Sequence, residues 1–125
     1  MKLIVAGSRA VTDYSLVASA IDELVENELS ITAIIDGTAR GVDMLASRYA
    51  AEHGIENIRV PAEWKRYGRG AGRLRNIRMA EMGNVLLALW DGKSSGTKSM
   101  IEAAKHRGIP VHIVFCKAND STTPV

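Results

Sequence analysis

The sequence predicts a doubly wound α/β domain built on a five-stranded parallel sheet with helices on both faces. Five short segments are rich in aliphatic and β-branched residues, and their apolar residues run continuously, which is typical of strands buried on both faces of a parallel sheet. Segments with apolar residues three and four positions apart lie between them, as in amphipathic helices. Strands and helices that alternate in this way along one chain are typical of a Rossmann-like fold.

The predicted strands, in chain order, are Leu3–Ala6, Ala33–Ile35, Ile58–Val60, Val85–Leu89 and Val111–Phe115. Apolar stripes predict helices over Leu16–Val25 and Val42–Ala50, and Asp13 is placed to cap the start of the first. A further helical stretch, Met100–Arg107, is followed by Gly108 as its C-cap. Right-handed crossovers with one reversal of direction predict the strand order 3-2-1-4-5, with the reversal between strands one and four.

Length and composition indicate one globular domain, since the chain has 125 residues, of which 46% are hydrophobic and 24% are charged. We expect this domain to span residues 1–116 and a polar, aperiodic tail to follow over residues 117–125. The longest apolar run, Val85–Trp90, is too short to cross a bilayer, and the sequence lacks the pattern of a signal peptide. The sequence therefore predicts a cytoplasmic protein without a membrane partner. Its net charge of +2 does not by itself indicate nucleic-acid binding.

Several common motifs for cofactors and metals are missing. Cys116 is the single cysteine and is expected to be a buried thiol, and neither it nor the three histidines have the spacing of metal ligands. Gly92-Lys93-Ser94 resembles the end of a P-loop, but Leu87 stands where that motif requires glycine. The sequence therefore predicts no metal and no cofactor.

Residues 90–97 join the fourth strand to a helix and read Trp-Asp-Gly-Lys-Ser-Ser-Gly-Thr. A small-residue turn that opens a helix presents unpaired backbone N–H groups and the positive end of the helix dipole, and such a point binds phosphate. An ordinary turn between a strand and a helix is the alternative interpretation of this stretch alone. The predicted ligand-binding residues here are Asp91, Gly92, Ser94, Ser95, Gly96 and Thr97.

Two other turns are expected at the same edge of the sheet, because ligands of doubly wound sheets bind beyond the carboxyl ends of the strands at the reversal. One turn follows the first strand and the other follows the second. Each offers glycine for close backbone approach, a hydroxyl group, and an arginine that can bind phosphate through two hydrogen bonds. The predicted ligand-binding residues in these turns are Gly7, Ser8, Arg9, Gly37, Thr38, Arg40, Gly41 and Asp43.

The segment Pro61–Arg78 carries six of the 16 basic residues of the chain against one acidic residue, Glu63. Arginines interleaved with aromatic residues can hold phosphates while an aromatic ring stacks on a base, whereas a solvated helix face is the alternative. Because glycines stand at positions 68, 70 and 72, the segment is predicted to be a long mobile loop over the ligand cleft. The candidate contact residues of this basic and aromatic loop are Trp64, Lys65, Arg66, Tyr67, Arg69, Arg73 and Arg78.

Four motifs, taken in order, carry a family resemblance: Gly7-Ser8-Arg9, Gly37 to Asp43, Arg75-Asn76, and Gly96-Thr97 ahead of a helix. They resemble the SLOG superfamily of Rossmann-like domains, which includes the lonely-guy phosphoribohydrolases and DNA-processing protein A. With residues 62–72 and 90–92, the pattern is most similar to the stand-alone YspA/YpsA-related SLOG proteins. The resemblance implies a site for a nucleotide or nucleotide-derived ligand, with phosphate at Gly96-Thr97, and it is compatible with a homodimer.

The resemblance to lonely-guy enzymes, which cleave the N-glycosidic bond of nucleoside 5′-monophosphates, implies that Arg75 is the catalytic arginine. The family motif places a glutamate three residues after the Gly-Thr threonine, and here that residue is Met100. Glu102 should face away from the site, since two helical steps rotate a side chain by roughly 200°. Cleavage through a positively charged sugar normally needs a nearby carboxylate. The remaining candidate acids, none of which stands at the family position, are Glu63, Asp36 and Asp91.

Three functions therefore remain open from the sequence. The first is binding of a nucleotide-derived small molecule by a sensor, in which Ser95, Gly96 and Thr97 hold phosphate while Arg9 and Arg75 clamp it. The second is N-glycosidic hydrolysis of a nucleoside monophosphate. The third is binding of single-stranded nucleic acid through the segment from Lys65 to Arg78, as in DNA-processing protein A.

Overall fold

The structure is a computed structural model that describes residues 1–27 and 30–116. Its five strands are β1 (Lys2–Gly7), β2 (Ala33–Asp36), β3 (Glu56–Arg59), β4 (Val85–Trp90) and β5 (Val111–Phe115). They form one sheet in the order β3-β2-β1-β4-β5, and every neighbouring pair is parallel. The predicted doubly wound, Rossmann-like α/β fold and the reversal between the first and fourth strands are both confirmed.

Helices lie between the strands along the chain. They are α1 (Tyr14–Glu26), α2 (Val42–Glu52), α3 (Trp64–Tyr67), α4 (Ala71–Met82) and α5 (Ser95–Arg107). The Asp13 carboxylate accepts a hydrogen bond from the Ser15 backbone N–H at 2.9 Å and caps α1 as predicted, while Gly108 ends α5 in the left-handed conformation. Within the described part of the chain, no helix is long and apolar enough to cross a membrane.

The hydrophobic core lies in two layers, one on each face of the sheet. Leu3 and Val5 of β1 pack in the layer that contains α1 and α2, whereas Ile4 and Ala6 pack in the layer that contains α4 and α5. Both β1 and β4 have strands on either side and helices above and below, which explains why their apolar residues run continuously. Cys116 is buried in the first layer, as predicted.

The third strand begins two residues before its predicted position, at Glu56 instead of Ile58. It lies at the edge of the sheet, where polar contacts hold it: the Asn57 amide nitrogen donates to the Ile34 carbonyl at 3.1 Å and to the Asp36 carboxylate at 2.9 Å. An edge strand has a neighbour on one side only, so it needs less apolar surface, and apolar content is a weaker guide to its bounds.

The prediction of a long loop over Pro61–Arg78 is wrong, because residues 64–82 are helical throughout, with a 3-10 turn at Gly68–Gly70 between α3 and α4. Gly68 adopts a φ of 58° where α3 ends, so one glycine does mark a break. The helix after it forms because Met79 and Ala80 bury one side of α4 against the sheet, and this packing outweighs the low helix propensity of glycine.

The predicted polar tail over residues 117–125 lies outside the described residues. The domain boundary at residue 116 therefore stays a prediction.

Candidate functional site

A cleft of about 780 Å³ opens at the carboxyl edge of the sheet, beside the reversal between β1 and β4. The turn after β1, the first turn of α2, helix α4 and the first turn of α5 meet there. The cleft is therefore where the sequence predicted it. The predicted site residues that line it are Gly7, Ser8, Arg9, Asp43, Trp64, Arg69, Arg73, Arg75, Asn76, Ser94, Ser95, Gly96 and Thr97.

Other predicted site residues lie outside the lining, and several of them shape the turns. These residues are Asp36, Gly37, Thr38, Arg40, Gly41, Glu63, Lys65, Arg66, Tyr67, Arg78, Asp91 and Gly92. Gly41 has a φ of +74°, and a Cβ at that position would lie 2.3 Å from the Ser8 carbonyl oxygen. The Val42 backbone N–H donates to the same oxygen at 3.2 Å. Glycine at position 41 thus lets the turns after β1 and β2 touch.

Helix α5 begins at Ser95, so Gly96 and Thr97 lie in its first turn instead of preceding the helix. The first N–H groups of a helix have no partner within that helix and carry its positive dipole end. Ser94 is the N-cap residue but its side chain makes no capping bond to the described chain, and its hydroxyl lies 3.3 Å from the Thr97 hydroxyl instead. Two hydroxyls and the first backbone N–H groups of α5 are therefore grouped at the cleft.

Asp91 holds this turn in place. Its Oδ1 accepts hydrogen bonds from the backbone N–H groups of Ser94 at 2.7 Å and Lys93 at 2.8 Å. Both bonds lower the pKa of the Asp91 carboxyl below its usual value, and the bond from Ser94 has the larger effect. Asp91 is thus an ionised group that organises the turn, and it lies outside the cleft lining.

Two hydrogen bonds position the side chain of Arg75. Its Nη1 donates to the backbone carbonyl of Gly37, and its Nε donates to the Asn76 Oδ1 at 2.9 Å. Burial lowers the pKa of the Arg75 guanidinium, and the charges of Asp43 and Asp36 act in the opposite direction. Arg75 therefore connects α4 to the turn after β2.

The neighbouring Asn76 connects α4 to α5. It is buried, and its amide nitrogen donates to the Ser99 hydroxyl at 3.2 Å and to the Gly96 carbonyl at 3.4 Å. The two adjacent residues Arg75 and Asn76 thus set the distance between the walls of the cleft.

Three further arginines, Arg9, Arg69 and Arg73, line the cleft. Within residues 1–27 and 30–116, no hydrogen bond or ion pair engages their guanidinium groups. Arg75 differs from them, because its guanidinium donates hydrogen bonds to Gly37 and Asn76. The donors of the other three arginines are available to an anion, and a guanidinium binds phosphate or carboxylate well because its donors match the spacing of the anion oxygens.

The carboxylates that the sequence offered as catalytic acids are engaged in structural contacts. Asp36 is completely buried and pairs with Arg59 at 3.3 Å, while Glu63 pairs with Arg78 at 3.0 Å. With Asp91 held in its turn, none of the three candidates lies in the cleft lining.

Met100 and Glu102 take the places that the helical geometry of α5 predicts. Met100 is buried and lines the cleft. Glu102 lies outside the cleft lining, in an adjoining groove between α4 and α5 that shares Arg73 and Ser99 with the cleft. The position at which the lonely-guy motif has its glutamate is therefore apolar in this chain.

Asp43 is the only carboxylate among the described residues that line the cleft. The residue is 5% exposed, and its Oδ2 accepts hydrogen bonds from the backbone N–H groups of Gly37 at 2.9 Å and Ala39 at 3.3 Å. Burial raises the pKa of Asp43 to about 6, although these hydrogen bonds and the charge of Arg75 oppose the rise. Sequence reasoning named Asp43 as a ligand contact but missed it as an acid, because a motif does not show how deeply a side chain is buried.

The basic segment divides into two sets of residues. Trp64, Arg69 and Arg73 face the cleft. On the other side, Arg78 donates to Glu63 at 3.0 Å and to the Tyr67 hydroxyl at 3.4 Å, so Arg78 and Tyr67 hold α3 against α4. The segment is therefore not one continuous basic surface.

Comparison with known proteins identifies relatives of this fold. The model of the YspA, cpYpsA-related SLOG family matches residues 1–67. The Gene 61 protein of Mycobacterium phage D29 is 36% identical over 117 residues, which cover 88% of this chain and 93% of the phage protein.

Two solved structures of DNA processing protein A share the fold. The Streptococcus pneumoniae protein superposes with a TM-score of 0.69 at 24% identity over 95% of this chain and 52% of its own length. The Helicobacter pylori protein, whose structure was described for its single-stranded DNA binding mode, has a TM-score of 0.70 at 18% identity over 95% of this chain and 67% of its own. The chain thus spans about half the length of the Streptococcus pneumoniae protein. The family match over residues 1–67 and the phage relative together show that this chain belongs to the YspA, cpYpsA-related SLOG family.

Proposed function

We propose that the protein binds a nucleotide or nucleotide-derived ligand and holds a phosphate group at the start of α5. One observation carries the proposal: the first turn of a 13-residue helix and three arginines whose guanidinium groups have no partner among the described residues converge on a single cleft. An anion at this point meets backbone N–H groups, hydroxyl groups and guanidinium groups together. Membership of the SLOG family supports a ligand of the nucleotide class.

The charge of the lining favours an anion. Four arginines line the cleft, whereas Asp43 is the only carboxylate there among the described residues. Because its pKa is about 6, Asp43 is partly protonated in mildly acidic solution, which reduces its repulsion of a phosphate. The net positive potential both attracts and retains a phosphorylated ligand.

In this proposal the phosphate is bound by the N–H groups of α5, by the hydroxyls of Ser94 and Thr97, and by Arg9 from the turn after β1. Arg75 has a positioning role in addition, since two of its five N–H donors are engaged by Gly37 and Asn76. We therefore keep the expected clamp of Arg9 and Arg75, with Arg69 and Arg73 in the same lining.

Binding without cleavage fits the site better than N-glycosidic hydrolysis. Met100 occupies the position of the lonely-guy glutamate, and Glu63, Asp36 and Asp91 are engaged outside the cleft lining. A carboxylate free to support positive charge on a sugar is thus missing at the family position.

Calorimetric titration of AMP at low salt tests the proposal, with Arg9→Ala as the test variant and Arg40→Ala as its matched control. Arg40 is an exposed arginine in the neighbouring turn, outside the cleft lining. A hydrogen bond to a charged group contributes about 1.5–3 kcal/mol, so Arg9→Ala should weaken AMP binding by about tenfold or more. Arg40→Ala should leave the affinity unchanged.

If Arg9→Ala and the unchanged protein bind AMP with equal affinity, the proposed contact between Arg9 and the phosphate is contradicted. Chromatography of the same samples after long incubation separates binding from cleavage, because release of adenine would show hydrolysis. We expect AMP to remain intact.

A further inference from the structure

Trp64 is an exposed aromatic residue at the mouth of the cleft. It is 54% exposed, and of the large apolar side chains that the described residues leave exposed, it alone lines the cleft. Water contact with an indole ring of this size is unfavourable, and the ring offers a flat, polarisable surface to a ligand. The position therefore suits a planar ligand group.

Contacts to the neighbouring helix fix the turn that carries Trp64. Trp64 is the first residue of α3, and the Glu63 carbonyl before it accepts the Tyr67 backbone N–H at 3.0 Å. The ion pair between Glu63 and Arg78 attaches the same turn to α4. The edge of the indole at Cη2 lies against Gly72, where a Cβ would be at an ordinary van der Waals distance of 3.4 Å.

Charged groups for the remainder of the ligand lie in the same cleft. Arg69 and Arg73 follow Trp64 along the chain, and the start of α5 forms another part of the wall. The volume of about 780 Å³ is within the range of small-molecule sites. One ligand can therefore place an anionic end at α5 and a flat end at Trp64.

We propose that Trp64 stacks on the nucleobase of the bound ligand, so that the cleft selects a nucleotide that retains its base over a sugar phosphate. This inference rests on the proposed phosphate site. Stacking tolerates any base, because every base has a π face, and the discrimination is between the presence and absence of a base. Trp64 is thus a specificity-determining residue of the proposed site.

Paired titrations of AMP and ribose 5-phosphate test this inference. In the unchanged protein, AMP should bind more tightly than ribose 5-phosphate. Alanine substitution of a residue that stacks on a base typically weakens binding by about 5- to 150-fold, so Trp64→Ala should bind AMP more weakly by a factor in this range. The affinity of Trp64→Ala for ribose 5-phosphate should change by no more than about twofold. Trp64→Phe should keep most of the preference for AMP over ribose 5-phosphate, because it retains an aromatic ring.

Phe115→Ala is the matched control, since Phe115 is a 70% exposed aromatic residue outside the cleft lining. It should change neither affinity. Equal binding of AMP and ribose 5-phosphate by the unchanged protein would overturn the stacking role but leave the phosphate site standing. An equal loss of both ligands in Trp64→Ala would also overturn it, because the indole would then only shape the cleft. Failure of both ligands to bind the unchanged protein would overturn the proposed function itself.

Discussion

The guanidinium of Arg75 donates a hydrogen bond to the backbone carbonyl of Gly37, which joins α4 to the turn after β2 across the cleft. The contact is possible because Gly37 lacks a side chain: a Cβ there would lie 2.6 Å from the Arg75 Nη1 and 2.9 Å from the Asp43 Oδ2. The arginine that the family resemblance presents as catalytic therefore supports the backbone of the site.

Arg75→Ala is expected to lower both stability and ligand affinity. The substitution leaves the Gly37 carbonyl and the Asn76 Oδ1 without these donors, and lost hydrogen bonds of this kind cost about 1–3 kcal/mol in the free energy of unfolding. Urea denaturation measures the loss, with Arg73→Ala as a control that removes a cleft arginine to which no described residue makes a hydrogen bond or ion pair. Equal stability of the two variants would show that the Gly37 contact contributes nothing.

Asp43→Asn is expected to change how stability depends on pH. The pKa of Asp43 is raised from 3.8 to about 6 in the folded protein, so the folded state binds this proton more tightly than the unfolded state. The contribution of Asp43 to stability is therefore greatest below about pH 4 and falls as the pH rises to about 6. Over this pH range the titration of Asp43 should lower the free energy of unfolding by about 2–3 kcal/mol, and Asp43→Asn should not show this decrease.

Urea denaturation from pH 4 to pH 7 measures this difference. Glu102→Gln, which removes a carboxylate outside the cleft, is measured beside Asp43→Asn as the control. Parallel curves for Asp43→Asn and the unchanged protein would mean that Asp43 titrates normally.

Gly41→Ala is expected to destabilise the protein more than Gly54→Ala. Both glycines have positive φ, +74° and +64°, so alanine is strained at either position. Gly41 is also crowded, because its Cβ would lie 2.3 Å from the Ser8 carbonyl oxygen, whereas no atom of the described residues lies within 4 Å of a Cβ at Gly54. The shared strain costs about 1–2 kcal/mol, and the clash should add to it at Gly41 alone. Thermal unfolding of the two variants separates these effects, and equal losses would contradict the close approach of the two turns.

The double variant Lys65→Ala/Arg66→Ala distinguishes a small ligand from single-stranded nucleic acid. Both residues are exposed and lie outside the cleft lining. We expect its AMP affinity to match that of the unchanged protein. If a nucleic-acid strand instead follows the whole basic segment, loss of two phosphate contacts should reduce the salt dependence of oligonucleotide binding, with the slope of log K against log salt falling by about 1.4. Titration of a short oligonucleotide at several salt concentrations measures that slope.

The sequence by itself determined the fold and the position of the cleft. Continuous apolar runs such as Val85–Leu89 require burial on both faces, and right-handed crossovers then leave few strand orders, of which 3-2-1-4-5 is the observed one. Because parallel strands end at the same edge, the turns at Ser8 and Ser94 had to meet there. These features depend on local periodicity and general topology, both of which are present in the sequence.

Only the tertiary structure decided which polar residues are available to a ligand. Arg9 and Arg75 both belong to predicted ligand-binding motifs, yet packing engages Arg75 with Gly37, whereas no hydrogen bond or ion pair within the described part of the chain engages the Arg9 guanidinium. Packing also made the glycine-rich segment before Arg75 helical and turned Trp64 toward the cleft. Hydrogen bonds and burial are set by residues distant in the chain, so a short motif shows the chemical type of a side chain but not its partners.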